Sequence, residues 1–382
     1  MMIPYQRLLS FLVLSVVSAC SALIVVAQSR PRARDLGIVV GIYPSGARNA
    51  ITDVDGVRVG HTTIVEGDRV RTGVTAIVPH GGNVFQDKVA GAVFVGNAFG
   101  KLAGSTQVNE LGTIETPIVL TNTLSVGTAM DAVVRYTIAQ PGNEQVRSVN
   151  ALVGETNDGG LNDIRGLHVT REHVIAAITG ATAGPVAEGA VGAGTGTINY
   201  GWKGGIGTAS RVIAARPGAA GRDYTVGVLA QTNFGGNLTI AGVPIFRSLQ
   251  PPRARNAAAD NGDGSCMLVA ATDAPLDARD LRRLAARAIF GLARTGSSYS
   301  NGSGDFAIAF STSPEMRARF NETAPRAHTI LPTEATSPLF EAALEATEEA
   351  VYNALFQATT IRSAHGTAEA IPIDRVRELL KR

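Results

Sequence analysis

The sequence contains little cysteine, few aromatic residues and little charge. Of its 382 residues only two are cysteines, 5% are aromatic and 17% are charged. Because there are so few thiols, no disulfide framework holds the fold, and an apolar core must do so. The 45% share of hydrophobic residues and the 43 glycines favour closely packed sheets joined by tight turns.

Three classes of function lack their usual signals. The net charge is only +2, and no run of basic residues occurs beyond 30–34, so nucleic acid is not an expected partner. The six histidines show no ligand spacing, which argues against a metal site. The segment 189–207 holds eight glycines but neither phosphate-binding motif, so we expect no cofactor there and predict a close-packed backbone near the active site.

The first residues predict export. Arg7 precedes a mostly apolar run over 8–27, which is followed by a polar, basic stretch. This is typical of a secretory signal peptide over 1–27 and indicates a periplasmic protein. Two alternatives stay open: the run is nearly long enough for a membrane anchor, and 17–20, ending in Cys20, fits a lipoprotein signal.

The rest of the chain mixes both kinds of secondary structure, which predicts an α/β or α+β fold. Gly, Pro and Asp-Gly punctuate 35–61 in a manner typical of short hairpins. Further strands are expected at 74–78, 93–95, 118–122, 224–230, 266–271 and 306–310. Helices are expected at 127–138, at 171–178, at 277–294, and after Ser337, which we interpret as an N-cap before Pro338.

One stretch predicts a cut in the chain. A largely polar segment over 246–263 leads directly into an apolar run that must be a buried strand, and Ser265 stands at the boundary. We predict self-cleavage between Gly264 and Ser265, which gives chains 28–264 and 265–382. The new α-amine of Ser265, with a pKa near ~8, would serve as the base for its own hydroxyl. A simple turn is the alternative interpretation.

Three more polar residues lie at predicted strand ends. Asn233 closes one strand, and Ser303 with Asp305 opens another. Acyl transfer needs a nucleophile, a proton acceptor and donors to the developing oxyanion. Asn233 would be that donor, Ser303 would relay or orient the proton, and Asp305 would hold an ammonium group. Each is also a common turn residue.

The chain resembles a family of autoprocessing N-terminal-serine aminopeptidases, which includes β-peptidyl aminopeptidases and L-aminopeptidase/D-amidase-esterases. The resemblance implies a four-layer αββα sandwich, one domain built from two chains after self-cleavage, and a tetramer of such pairs. It assigns the same roles to Ser265, Asn233, Ser303 and Asp305. Seven ordered blocks carry it: Arg-Asp-Leu-Gly at 34–37; Asn-Ala-Ile-Thr-Asp-Val with Gly-Val-Arg-Val-Gly-His over 49–61; Leu-Thr-Asn-Thr-Leu-Ser-Val-Gly at 120–127; Gly-Glu-Thr-Asn-Asp at 154–158; Gln-Thr-Asn-Phe-Gly at 231–235; Gly-Ser with Ala-Thr-Asp-Ala-Pro-Leu over 264–276; and Asn-Gly-Ser-Gly-Asp at 301–305.

Two departures from the family pattern bear on the substrate. Some relatives have Glu at Asp305 and Tyr at Gly160, and a missing Tyr opens the pocket. The expected activity is release of small or β-amino acids from short peptides, amides or esters. Glu155 is a candidate anchor for the substrate amine, with a solvated turn carboxylate as its alternative. An amidase for synthetic or cyclic amides and a non-catalytic exported binding module remain the competing functions.

Overall fold

The computed structural model describes residues 30–215, 222–252 and 264–381. The predicted signal over 1–27 and most of the polar segment before Ser265 lie outside these residues. The helices are α1 Ser105–Leu111, α2 Val126–Ile138, α3 Arg171–Thr179, α4 Ala278–Arg294, α5 Ser337–Gln357 and α6 Ile373–Leu380. The strands are β1 Arg58–Glu66, β2 Val70–Val78, β3 Asp87–Ala98, β4 Leu102–Ala103, β5 Thr113–Ile114, β6 Ile118–Asn122, β7 Leu152–Thr156, β8 Ile198–Asn199, β9 Trp202–Lys203, β10 Gly205–Ile213, β11 Tyr224–Asn233, β12 Ser265–Thr272, β13 Gly304–Ser311, β14 Ala318–Arg319, β15 Ile361–Arg362 and β16 Thr367–Ala368.

Two large sheets form the centre of the fold. The first sheet has the strand order β1-β2-β6-β7-β4. The second has the order β10-β11-β12-β13-β3-β14, with β5 pairing to β3. In the second sheet β12 is antiparallel to β11 and parallel to β13. The strand that begins at Ser265 therefore lies in the middle of its sheet.

Three buried apolar clusters lie between four layers of helices and sheets. One contains Ala129 and Val174 of α2 and α3 together with Val74 and Val119 of the first sheet. The second lies between the sheets and joins residues such as Leu120 to Met267 and Ile308 of the second sheet. The third packs α4 and α5 on the other face of the second sheet. The chain therefore forms the predicted four-layer αββα sandwich, since each sheet buries both faces.

A buried ionic cluster joins parts of the chain that lie on opposite sides of the predicted cut. Arg211 of β10 is fully buried, and it contacts Glu345 at 2.9 Å and Glu349 at 2.8 Å, both on α5. Arg211 also donates to the backbone carbonyls of Ser210 and Val40. Because all these groups are buried, removal of one partner would leave an uncompensated charge in the core.

Most predicted elements are confirmed, with two corrections. The central strands and the helices α2 to α5 lie where the pattern predicts them. The hairpin prediction over 35–61 is wrong for its first part, because 38–50 forms no strand and Ile51–Asp53 is a 3₁₀ turn. Thr336, and not Ser337, is the N-cap of α5, so Pro338 is the second helical residue. Among the described residues no helix is long and apolar enough to span a membrane.

The contact between β10 and α5 leads to a stability prediction. A Cβ on Gly207 would overlap the Ala350 carbonyl oxygen on α5, whereas a Cβ on the exposed Gly127 would meet nothing within 4 Å. We expect Gly207→Ala to lower the free energy of unfolding by about 1–3 kcal/mol. The control Gly127→Ala, near the start of α2, should raise it by up to about 1 kcal/mol. Denaturant titration measures both; equal effects would contradict the close packing.

Candidate active site

Ser265 and Asn233 form a cross-strand pair at one end of the second sheet. They are opposite each other in the register of β11 and β12. Alternation along these strands directs both side chains to the face that also carries Gln231 and Met267, which is the face toward the first sheet. The predicted nucleophile and the predicted oxyanion donor are therefore direct neighbours on the same face.

A backbone contact sets the orientation of the Asn233 amide. The Ile198 N–H donates to Asn233 Oδ1 at 2.9 Å. An N–H group cannot pair with the NH₂ end of the amide, so this contact identifies the oxygen and leaves Nδ2 as the outward donor. The side chain is thus oriented to donate a hydrogen bond beside Ser265.

The residue before Ser265 is held on both sides. The Gly264 carbonyl accepts a hydrogen bond of 2.9 Å from the Gly304 N–H. On the other side, a Cβ on Gly264 would overlap the Asn233 carbonyl oxygen. Only glycine fits this position, and the carbonyl carbon that Ser265 would attack is fixed and polarised by a backbone donor.

Ser303 and Asp305 lie at the start of the neighbouring strand β13. Asp305 is opposite Cys266 in the register, so its side chain occupies the helix-covered face and not the face of the Ser265 hydroxyl. Burial raises the pKa of the Asp305 carboxyl to about 6, while the nearby Ser303 hydroxyl lowers it. Neither the Ser303 hydroxyl nor either Asp305 oxygen has a hydrogen-bond partner of normal geometry among the described residues.

The thiol next to the predicted nucleophile is not activated. Cys266 is fully buried, and burial, with a further contribution from the Asp305 charge, raises its pKa well above the usual value. Because the thiolate is the reactive form, this cysteine stays protonated and does not compete with Ser265.

Glu155 is a buried strand residue close to this cluster. It lies in β7 and is almost completely buried, so the alternative of a solvated turn carboxylate is wrong. Its Oε1 accepts the Lys101 N–H at 2.9 Å and lies 3.4 Å from Lys101 Nζ. The point where a Cβ on Gly100 would stand lies 3.0 Å from Glu155 Oε1 and 3.6 Å from Gly304 Cα. The carboxylate is therefore near the start of β13.

The glycine-rich segment packs against the site, as predicted. Each of its glycines has other backbone or side-chain atoms where a Cβ would stand. Gln231 Nε2 bridges the layers, because its two hydrogens are shared among the acceptors Thr121 O, Thr156 Oγ1 and Ala193 O. A Cβ on Gly160 would stand 3.1 Å from Ile198 Cδ1, so position 160 borders the segment that holds Asn233. Among the described residues no group of three or more His, Cys, Asp or Glu side chains is arranged to hold a metal ion.

Comparison with known proteins decides the family. The model of peptidase family S58 matches residues 49–369. A β-peptidyl aminopeptidase, BapA, of Sphingosinicella microcystinivorans is 42% identical over 376 residues, which cover 92% of each chain. The chain belongs to peptidase family S58.

Two solved structures extend this comparison to the fold. A Burkholderia sp. β-aminopeptidase is 40% identical with a TM-score of 0.83, and the match covers 92% of this chain and 98% of the other. The L-aminopeptidase D-Ala-esterase/amidase of Ochrobactrum anthropi is 38% identical with the same TM-score and the same coverage. It is described as a prototype of the serine aminopeptidases and a variant of the Ntn hydrolase fold. The S58 chain is thus a serine aminopeptidase with an N-terminal nucleophile.

Three residues that support the site through hydrogen bonds are not among those predicted from the sequence. Ile198, Gln231 and Lys203 each support the glycine-rich segment or Asn233 through hydrogen bonds. One signal was available in the sequence, because Lys203 is the only charged residue in 189–207. A lysine among glycines and apolar residues indicates either solvent contact or a buried ammonium with carbonyl partners.

The buried carboxyl of Asp305 predicts a pH-dependent stability in the uncut S58 chain. Its pKa is about 6 in the folded state and about 3.9 when unfolded, so the folded state holds the proton more tightly. The free energy of unfolding should therefore fall, by up to about 3 kcal/mol, as pH rises from 4 through 6.

The measurement compares Ser265→Ala with Ser265→Ala/Asp305→Asn by denaturant titration across this range. The difference between the two should appear between pH 4 and 6, and Asp68→Asn, at an exposed aspartate, is the control. Parallel stability curves for the first two proteins would mean that Asp305 is already ionised and paired in the uncut chain.

Proposed function

We propose that this chain cleaves itself between Gly264 and Ser265 and then releases N-terminal residues from short peptides, amides or esters through an acyl-enzyme on Ser265. The observation that carries the proposal is the position of Ser265. It begins the central strand of the second sheet, opposite Asn233 and directly after a carbonyl held by Gly304. Family membership supplies the reaction class, and this geometry supplies the residues.

Self-cleavage would proceed as an N-to-O acyl shift. Ser265 Oγ attacks the Gly264 carbonyl carbon, the C–N bond breaks, and the hydroxyl proton passes to the departing nitrogen of Ser265. The developing oxyanion keeps the hydrogen bond from the Gly304 N–H. Water then hydrolyses the ester, which leaves a Gly264 carboxylate and a Ser265 residue with an amine and a hydroxyl.

The same atoms would then serve the peptidase reaction. The neutral α-amine takes the proton as Ser265 Oγ attacks the substrate carbonyl, and returns it to the leaving amine. Asn233 Nδ2 donates to the oxyanion, and water releases the acyl group. The polar atoms of Ser303 and Asp305 that lack partners among the described residues would face the newly formed α-amine. This accounts for a carboxylate buried on the far face of β13.

Glu155 is proposed as the anchor of the substrate's own amine. An aminopeptidase substrate carries a cationic amine that needs a nearby carboxylate. Glu155 Oε1 is engaged by the Lys101 backbone, which leaves Oε2 without a hydrogen bond among the described residues. The proximity of Glu155 to Gly304 supports this role.

The preferred substrates are proposed to be those with small or β-amino N-terminal residues. Relatives carry the names β-peptidyl aminopeptidase, β-aminopeptidase and D-Ala-esterase/amidase. Gly160 contributes no side chain to the site, and Ile198 Cδ1 stands 3.1 Å from the point where its Cβ would lie. The second candidate function is an amidase for synthetic or cyclic amides, and the relative named D-Ala-esterase/amidase supports it.

Location and assembly stay predictions. The apolar run over 8–27 supports export, with a lipoprotein or anchored form as alternatives. A tetramer of chain pairs is the expected assembly. N-terminal sequencing of the secreted protein and light scattering of the purified protein test these two points.

Self-cleavage is tested on the wild type and two variants. The wild-type protein should contain a chain that begins Ser-Cys-Met-Leu, whereas Ser265→Ala should remain one chain because alanine has no hydroxyl to attack Gly264. Cys266→Ala is the matched control and should still be cut, since its thiol is protonated and buried. Intact-mass measurement and N-terminal sequencing decide; cleavage of Ser265→Ala would remove Ser265 as the nucleophile.

The amine anchor is tested by Glu155→Gln, which keeps an oxygen for Lys101 but removes the charge. We expect kcat/KM to fall roughly 10- to 100-fold for an aminoacyl amide, and to stay unchanged for the same compound with its amine acetylated. Glu115→Gln, at a buried glutamate paired with Lys88, is the control and should not alter this selectivity. Equal losses for both compounds would exclude Glu155 as the anchor.

A further inference from the structure

Lys203 is a fully buried lysine within the glycine-rich segment. It lies on β9, and it is 0% exposed. Its Nζ donates to the carbonyl oxygens of Gly194 at 2.9 Å, Thr197 at 2.9 Å and Gly204 at 2.7 Å. These contacts use all three donors of an ammonium group. Among the described residues no carboxylate forms an ion pair with it, so backbone dipoles solvate the charge.

One of these carbonyls belongs to the peptide unit that holds Asn233. The Thr197 carbonyl accepts from Lys203 Nζ and, at 3.2 Å, from the Gly204 N–H. The N–H of the same peptide unit, on Ile198, donates to Asn233 Oδ1. In a trans peptide the C=O and N–H groups point in opposite directions. The Lys203 ammonium, the Thr197–Ile198 peptide and the Asn233 amide therefore form one chain of hydrogen bonds.

This chain ends at the proposed oxyanion. Each bond in it has the same direction, so a positive charge at one end polarises the next dipole and strengthens the donor at the other end. Preorganised donors are the usual means by which a site stabilises an oxyanion without reorganisation. A rotation of the Thr197–Ile198 peptide would turn the Asn233 amide away from Ser265.

A buried charge of this kind is costly to maintain. Burial lowers the pKa of Lys203 to about 7, and the charge of the buried Asp158 raises it. The three carbonyl acceptors also favour the charged form. An apolar residue of similar volume would avoid this desolvation penalty, but it would leave the carbonyl oxygens of Gly194, Thr197 and Gly204 without the ammonium donors.

We propose that Lys203 is a positioning residue for acyl transfer, which orients the Thr197–Ile198 peptide and, through it, the Asn233 amide toward the oxyanion formed at Ser265. This inference rests on the function proposed above and assigns one further residue to it. Lys203 does not touch the substrate, so its loss should change turnover more than binding.

The first test is Lys203→Met, which keeps the length of the side chain and removes its donors and charge. In cleaved protein, with both chains confirmed by mass, kcat should fall roughly 10- to 100-fold while KM changes less than about twofold. Lys88→Met is the matched control. Lys88 is 15% exposed and pairs with Glu115. It lies near the start of β3, at the end of that strand away from Ala98, which pairs with Gly304. Lys88→Met should lower the melting temperature without changing kcat.

A double-mutant cycle separates this inference from the proposed function. Asn233→Ala should lower kcat roughly 100- to 1,000-fold, and adding Lys203→Met should cause little further loss, because both act on the same donor. Wild-type kcat in Asn233→Ala would overturn the proposed site. A normal kcat in Lys203→Met, or multiplicative losses in the cycle, would overturn the role of Lys203 alone.

If Lys203→Met does not fold, Lys203→Arg replaces it. A raised KM with wild-type kcat in Lys203→Arg would then contradict the proposal.

Discussion

The start of β12 is the point on which the rest of the structure depends. Ser265 lies in the middle of the second sheet, with Asn233 on one side and Gly304 on the other. A central strand is normally entered by a short turn from a neighbouring element, whereas here a long polar segment leads into it. The strand keeps its place because it is paired on both sides and packed on both faces.

The fold also explains how two chains would stay together after a cut. Along the second sheet, β10 and β11 come from before Ser265, β12 and β13 from after it, then β3 from before it. Separation would therefore break ladders on both sides of the central pair. The buried contacts of Arg211 with Glu345 and Glu349 cross the same boundary. Parting the chains would let water solvate these charged groups, so the strand ladders and the apolar clusters hold the two chains together more than this ionic cluster does.

The sequence predicts the helices and strands better than it predicts the residues that support Ser265 and Asn233. Short β-branched runs and a periodic helix pattern locate the central strands, and Ser265 and Asn233 stand out because they lie at strand ends. The hairpin prediction fails before Ile51 because Gly and Pro mark turns without showing whether a strand lies between them. The sequence leaves two interpretations of Glu155, an amine anchor and a solvated turn carboxylate. Only the tertiary fold shows that its strand is covered by the loop at Gly100. The link from Lys203 to Asn233 depends on a backbone carbonyl and a backbone N–H, which have no signature in a sequence.

The two faces of the second sheet divide the charges of the site. The hydroxyl of Ser265 and the amide of Asn233 face the first sheet, while Asp305 lies on the helix-covered face beside Cys266. The α-amine of a chain that begins at Ser265 lies in the plane of the sheet, between these faces. In the proposed reaction Asp305 would act on the base without contacting the substrate, and the substrate amine would need a different carboxylate. This separation would keep the substrate's cation away from Asp305, because the substrate amine and the Ser265 α-amine would otherwise compete for one negative charge.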